Sequence, residues 1–260
     1  MNIVVCIKQV PDTTEIKINP ETGTMIRDGV ASIINPDDKG GLEMAIQLKE
    51  QFGAHVTVIT MGPPQADIIL REAFAMGADR AIHLTDRKFA GADTLATSYA
   101  LAGALKKLNF DLLITGRQAI DGDTAQVGPQ IAEFLDLPQV SYTQELKFDG
   151  EKTFTIKKAT EEGYQMLAVE APCVITVLSS ANNPRYMSVG GIVDAYQKEV
   201  ELWGKDNIDV EDHNLGLKGS PTRVRKAFAR EVKPAGELYE VGTDEAVGII
   251  ISKLKEKFIL

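Results

Sequence analysis

Two periods of apolar and polar positions run along this chain, and the places where one gives way to the other mark its elements. Residues 2–8 (NIVVCIK) are a near-continuous apolar run, as expected of a central parallel strand covered on both faces. Residues 55–60 (HVTVIT), the strand within GADRAIHL at 77–84, and residues 110–115 repeat that pattern. Between them the period becomes helical. Leu42, Ala45, Ile46 and Lys49 predict a helix opened by Asn35 as cap and Pro36 at its first position, and closed near Gly53. Further helices are predicted over about 65–76, over 93–108 with Leu95, Tyr99, Ala102 and Leu105 on its apolar face, and over 125–135. Strand and helix alternate to residue 137, which predicts an α/β fold with a doubly wound, mostly parallel sheet.

The pattern then changes. Residues 139–148, 152–159, 165–169 and 174–178 are strand candidates separated by DG and EEG turns, an antiparallel extension of the sheet. Residues 15–18 and 24–27, around NPETG, predict a hairpin standing off it. From 179 to 242 regularity fails apart from a short helix at 192–197. The scattered Val, Leu, Trp and Phe there suit a long arm that orders against a partner. Helical order returns at 243–258, with Thr243 as cap, Asp244 and Glu245 in the first turn, and a stripe of Val247, Ile250, Ile251, Leu254 and Phe258. The organisation expected is therefore a nucleotide-binding α/β domain at 1–178, an arm and docking loop at 179–242, and a terminal helix at 243–260 on the core or a partner.

Composition narrows the function. The 260 residues are 44% hydrophobic, ample for a core, and the net charge of −9 is interspersed rather than blocked. Nucleic acid and anionic membrane are thus poor partners. No apolar run reaches the roughly 18 residues of a spanning helix, so no membrane insertion is expected, and the N-terminus does not read as a signal peptide. Cys6 and Cys173 each sit in an apolar run and read as buried thiols of a cytoplasmic protein. His55, His83 and His213 lack ligand spacing, and no nucleophile-and-base motif is present, so neither a metal nor a catalytic residue is assigned.

One loop carries candidate chemistry. Residues 115–129 read TGRQAIDGDTAQVGP between a strand tip and a helix start. Gly116 and Gly122 allow sharp turns, Asp121 or Asp123 can cap the helix, and Thr124, Ala125, Gln126 and Val127 would offer free amides to an anion. An ordinary strand-to-helix loop would look the same, and two carboxylates repel a phosphate unless they point away. Both readings stand on the residues alone.

Several stretches together carry a resemblance. CIKQVPD at 6–12, INPDDKGGLEMA at 34–45, TMGPPQA at 60–66, AMGADRAIHL at 75–84, GRQAIDGDTAQVGPQIA at 116–132 and NPRYMSVGGI at 183–192 resemble, in order, the β subunit of electron transfer flavoprotein. The resemblance implies a Rossmann-like, adenine-nucleotide-binding fold and a heterodimer with an α subunit that carries FAD. In one branch of the family the β-subunit nucleotide is a structural AMP. In the bifurcating branch it is a second FAD, which takes hydride from NADH and divides the electrons between ferredoxin or flavodoxin and an acyl-CoA dehydrogenase. The QVPDT start, the MGPPQA turn and the small residues of GDTAQVGP are similar to the bifurcating, nitrogen-fixation-type branch.

Carried over, Cys6, Ile7 and Lys8, with Thr60, Met61 and Gly62, would flank the nucleotide, and Asn35 would lie close by. Asp121, Gly122, Asp123, Thr124, Ala125, Gln126, Val127 and Gly128 would hold its phosphates. Cys6 and Asn35 read equally as a strand residue and a helix cap. QVSYT at 139–143 would border the pocket. Tyr186, Met187, Ser188, Val189, Gly190, Gly191 and Ile192 would form the docking loop, although Val189 stands where the AMP-binding branch has a leucine and DAYQK at 194–198 replaces a run of lysines. The alternatives are a non-bifurcating carrier with AMP and a self-standing nucleotide-binding regulator of the universal-stress type.

Overall fold

The computed structural model describes residues 1–12, 31–224 and 235–260. The hairpin expected at 15–18 and 24–27 lies outside the described residues, as does the stretch 225–234.

The apolar runs of the N-terminal half become β1 (Asn2–Cys6), β4 (His55–Met61), β5 (Arg80–Leu84) and β6 (Leu112–Gly116), all parallel. Helices α1 (Pro36–Phe52), α2 (Asp67–Met76), α3 (Thr94–Leu105) and α4 (Val127–Leu135) connect or follow them. Alternate residues of β1 explain the two layers. Ile3 and Val5 join the core cluster with Leu42 and Ile46 of α1 and Leu70 of α2, whereas Val4 and Cys6 join the cluster with Leu101 and Leu105 of α3 and Ile131 of α4. Each fully buried Ile or Leu stabilises the fold by about 1.5–3 kcal/mol relative to exposure. This is the doubly wound α/β sheet that the alternation predicts.

The remaining strands are β2 (Gln9–Pro11) and β3 (Ser32–Ile34), which pair as a separate antiparallel ribbon, then β7 (Gln139–Phe148), β8 (Thr153–Thr160), β9 (Gly163–Glu170), β10 (Cys173–Val177) and β11 (Val200–Trp203). The main sheet has the order β11-β5-β4-β1-β6-β10-β7-β8-β9. Only β7, β8 and β9 pair antiparallel; β10 departs from the expected extension and runs parallel between β6 and β7. Its five residues are all buried, the pattern of a parallel strand covered on both faces rather than of an antiparallel strand with one solvated face. The chain from β1 moves outward through β4 and β5, then returns to place β6 on the other side of β1. The strand order reverses between β1 and β6, where open α/β sheets leave a crevice for ligands.

Three further expectations are corrected. Leu95 is exposed, and α3 buries Ala96, Ser98 and Ala100 through Leu105 instead, because it is packed against both the sheet and α4 and so has no single apolar stripe. The stretch after residue 179 is also more regular than its sequence suggests. Helix α5 (Val189–Gln197) lies on α2, β11 extends the sheet beside β5, and Ile208, Val210 and Leu215 are buried in the second core layer. A four-residue edge strand and single buried side chains are too short to leave a period. A four-residue turn of helix, α6 (Gly216–Gly219), follows, and α7 (Thr243–Glu256) closes the chain with no buried residue. The residue before that last helix is Gly242, so Thr243 is its first residue rather than its cap.

Candidate functional site

The site is built where α1 begins, between the tips of β1 and β6. Asp37 and Asp38 follow the helix-opening Pro36 and are both buried. Acids in a first helical turn are favoured by the helix dipole, but these two also take amides from the sheet. Asp38 Oδ2 accepts the Lys8 N–H at 2.8 Å and its Oδ1 accepts the Gly116 N–H at 2.9 Å. Asp37 Oδ1 accepts the Ser179 N–H at 2.8 Å, beyond the end of β10. Arg117 Nε stands 3.4 Å from Asp37 Oδ2, a charge pair without hydrogen-bond alignment. Burial pushes the Asp38 carboxyl up to about 7, against the pull of the Lys8 and Gly116 amides and of Asn35, with the charge of Asp37 adding to the rise.

Asn35 precedes α1 but does not cap it with its side chain. It donates from Nδ2 to the Gln118 carbonyl at 2.7 Å and accepts the Ile120 N–H at 3.0 Å, which fixes the descent of the loop from β6. Neither Asp121 nor Asp123 caps α4, contrary to the expectation from sequence. The helix starts two residues later than predicted, at Val127, with Gln126 as its preceding residue and no side-chain cap. Asp121 Oδ1 instead accepts from Lys8 Nζ at 2.6 Å, and Asp123 accepts from the Gln118 amide group. The electrostatic objection to an anion at this loop is thereby reduced: one acid is neutralised and the other is engaged.

The loop's backbone is unusual. Asp123 and Ala125 have φ of 56° and 54°, in the left-handed region that costs a non-glycine residue roughly 1–2 kcal/mol. Gln126 returns to the right-handed region. Alternation of hand between successive residues turns their amides toward one side, the geometry of an anion-binding concavity. Among the described residues, the amides of Thr124, Ala125, Gln126 and Val127 have no hydrogen-bond acceptor. Gly128 brings the start of α4 down onto the strand tips: a Cβ there would stand 2.5 Å from Thr115 Oγ1 and 2.8 Å from Thr176 Cγ2.

The other predicted residues divide. Ile7 points into the core, leaving only its backbone at the strand tip, where its N–H donates to the Ile59 carbonyl. Cys6 is buried, and burial with the nearby Asp38 pushes its thiol far above the ordinary range, so it remains protonated. Thr60 is buried with its hydroxyl unpartnered. Met61 and Gly62 follow it, and the Gly62 carbonyl faces His83 Nε2 at 3.1 Å. Burial lowers the pKa of His83, which favours the neutral ring, and a carbonyl can only accept, so Nε2 is the donor in this contact. Within QVSYT, Tyr142 has φ 60° and its N–H donates to Thr176 Oγ1 at 3.1 Å, while the buried Thr143 hydroxyl is unpartnered. Thus residues 6–8, 35, 60–62 and 121–128 gather at one edge of the sheet.

The docking-loop residues do not join them. Tyr186 is 99% exposed and Val189 81% exposed. Ser188 caps α5 by accepting the Gly191 N–H at 2.9 Å, and Gly191 packs directly on the Ala75 carbonyl of α2. Met187, Gly190 and Ile192 complete an exposed patch with Val193 and Tyr196.

Sequence reasoning missed Asp37, Asp38, Gln118, Thr94 and the threonines under α4. Thr94 donates to Gln126 Oε1 at 2.8 Å. The signal available for the acids was their place directly behind a helix-opening proline, which ordinarily denotes solvated residues favouring the dipole. Their burial is a tertiary fact.

The family model described as electron transfer flavoprotein domain matches residues 22–207. The chain is 58% identical to the electron transfer flavoprotein subunit beta of Clostridium acetobutylicum, over 99% of both chains. It is 50% identical to the caffeyl-CoA reductase-Etf complex subunit CarD of Acetobacterium woodii over the full length of both. It is 47% identical to protein FixA of Azorhizobium caulinodans, over 88% of this chain and 84% of that one.

Proposed function

The chain belongs to the electron transfer flavoprotein family as a β subunit with an α-subunit partner, and from that premise we propose that it holds FAD at the strand tips of a bifurcating complex. The observation that carries the reading is the cradle itself: the amides of Thr124 to Val127, without an acceptor among the described residues, above Gly128, with the neighbouring acid Asp121 neutralised by Lys8. The Thr60 hydroxyl and Asp37 Oδ2 at the start of α1, both without a hydrogen bond among the described residues, suit the polar part of a nucleotide. The small side chains of Gly122 and Ala125 leave room for a ligand larger than AMP.

In this reading the amides of Thr124 to Val127 and the Thr124 hydroxyl bind phosphate. Cys6 to Lys8 and Thr60 to Gly62 line the adenosine, and Asn35 sets the loop. When bound there, the flavin supplies two-electron chemistry with NADH and one-electron chemistry with ferredoxin or flavodoxin and, through the α-subunit FAD, with an acyl-CoA dehydrogenase. The protein contributes position and electrostatics. Relatives whose names place them with caffeyl-CoA reductase and acryloyl-CoA reductase support an acyl-CoA redox partner. The exposed patch from Tyr186 to Ile192 is the surface offered to it.

The test is to co-express the chain with its α subunit, extract the complex with acid, and count FAD and AMP. Two FAD and no AMP per heterodimer is the expected result. One FAD with one AMP would replace bifurcation by simple electron carriage, and no nucleotide in the β subunit would remove the loop assignment.

A further inference from the structure

Residues 179–185 run along α1 as if on a rail. Ser179 donates its N–H to Asp37 at 2.8 Å, Asn182 donates from Nδ2 to the Gly40 carbonyl at 2.9 Å, and Arg185 reaches Glu43 and Glu50. Positions 37, 40 and 43 advance by three and 50 lies seven further, so the contacts follow a strip that winds by roughly 140° around the helix. The last contact is the densest. Arg185 donates to Glu43 from its backbone N–H at 3.1 Å, from Nε at 2.8 Å and from Nη2 at 3.0 Å, and to Glu50 from Nη1 at 2.5 Å and Nη2 at 3.0 Å.

Glu43 is buried, yet Arg185 and Gln47 offset that burial and hold its carboxyl below the ordinary range. A planar fork held between two carboxylates fixes direction as well as distance. The next residue is Tyr186, with essentially its whole side chain in solvent. The direction in which the chain leaves is set by Arg185 on one side and by the Ser188 cap of α5 on the other. The same helix begins at the candidate nucleotide site through Asn35 and Asp38. Its 17 residues span about 25 Å at roughly 1.5 Å each.

We propose that Arg185 is a positioning residue for electron delivery: clamped on Glu43 and Glu50 of the helix that opens at the nucleotide site, it fixes Tyr186 to Ser188, the leading part of the docking patch, relative to that helix. This rests on the docking reading of residues 186–192. Loss of the fork frees Tyr186 to Ser188, the stretch that enters α5, while α5 itself stays packed on α2, so it weakens the partner's productive approach without altering nucleotide content.

The experiment uses the α/β complex and a purified acyl-CoA dehydrogenase that accepts electrons from the wild type, varied in concentration to separate KM from kcat. Arg185→Gln and Glu43→Gln are each expected to raise KM for the dehydrogenase about tenfold at unchanged kcat and nucleotide content, a change of that size being one decade of affinity. Arg185→Lys, which keeps the charge and loses the fork, should rise less. Glu50→Gln, which trims only the exposed arm of the clamp, guards against a variant that fails to fold and should raise KM about twofold to threefold. Val189→Asp runs beside them. If it raises KM while the clamp variants, Glu50→Gln included, stay at the wild-type value, the positioning role is overturned and docking stands. If Val189→Asp leaves KM unchanged, the docking reading itself fails. A joint fall of kcat and nucleotide content in the clamp variants would make Arg185 a general structural residue and overturn the proposal.

Discussion

Asp38 and Gly116 are joined by a 2.9 Å hydrogen bond from the glycine amide to a buried carboxyl oxygen, and the other oxygen of Asp38 holds the Lys8 amide, so one side chain ties together the ends of β1 and β6. A side chain on Gly116 would occupy the place of Asp38 Oδ1. The strand tips that frame the candidate site are thus held at their separation by a group that titrates.

That coupling gives a pH dependence. Burial raises Asp38 from 3.8 to about 7, so between those values the folded chain holds a proton that the unfolded chain has lost. Its contribution to stability is full below about pH 4 and disappears as pH rises through 7. The upper bound is about 4 kcal/mol, three units at about 1.36 kcal/mol each. Urea denaturation of the wild type at pH 5 and pH 8.5 should show a lower midpoint at the higher pH, and Asp38→Asn should flatten that difference. An identical slope in the variant would assign the effect to other groups.

Gly128→Ala tests the contact between α4 and the strand tips. The added methyl would stand 2.5 Å from Thr115 Oγ1 and 2.8 Å from Thr176 Cγ2, both on buried residues. Overpacking of this kind costs about 1–3 kcal/mol, and the helix start must lift, carrying the loop amides with it. Lower thermal stability together with reduced nucleotide content is expected, and Thr115→Ala in the same chain should restore part of both. Full nucleotide content in Gly128→Ala would show that the height of the helix start does not matter to the ligand.

What was legible in the sequence follows from how each feature is made. Strands buried on both faces write themselves as unbroken apolar runs, and Gly53 closed α1 as expected, in the left-handed region. Loop 115–129 was legible as a place because glycine, aspartate and a following helix coincide there. Its mechanism was not: Asp121 pairs with Lys8 across 113 positions, and Asn35 bonds to a loop 83 and 85 positions away instead of to its own helix. Local propensity sees a cap in each case because short polar side chains cap well, and only the tertiary arrangement supplies a better partner. For the same reason β11 was hidden, since Val200 to Trp203 acquires strand geometry from the edge of β5.

Thr124→Glu separates ligand binding from folding. Thr124 is exposed, and its amide and those of the next three residues have no acceptor among the described residues. A carboxylate on that side chain would repel phosphate where the amides converge, while surface substitutions of this sort ordinarily change stability by within about 0.5 kcal/mol. The expected outcome is loss of β-subunit nucleotide with an unchanged circular dichroism spectrum. Wild-type nucleotide content would remove the loop from binding.

The terminal helix α7 presents Val247, Ile250 and Ile251 to solvent, followed by Phe258, Ile259 and Leu260, and none of its residues is buried. Leu238, Tyr239 and Val241 ahead of it are exposed too. Exposed apolar side chains in this number are what a helix that docks on a partner would present, and a β subunit of this family has an α-subunit partner. Each aliphatic side chain covered there would contribute about 1.5–3 kcal/mol, enough for the segment to govern assembly. Deleting residues 243–260 should therefore leave the thermal transition of the isolated chain within about 2 °C, because no core contact is lost, and should weaken association with the α subunit by at least about tenfold. Analytical ultracentrifugation of the mixed subunits measures this. Undiminished assembly with a destabilised monomer would place the helix on this chain's own core instead.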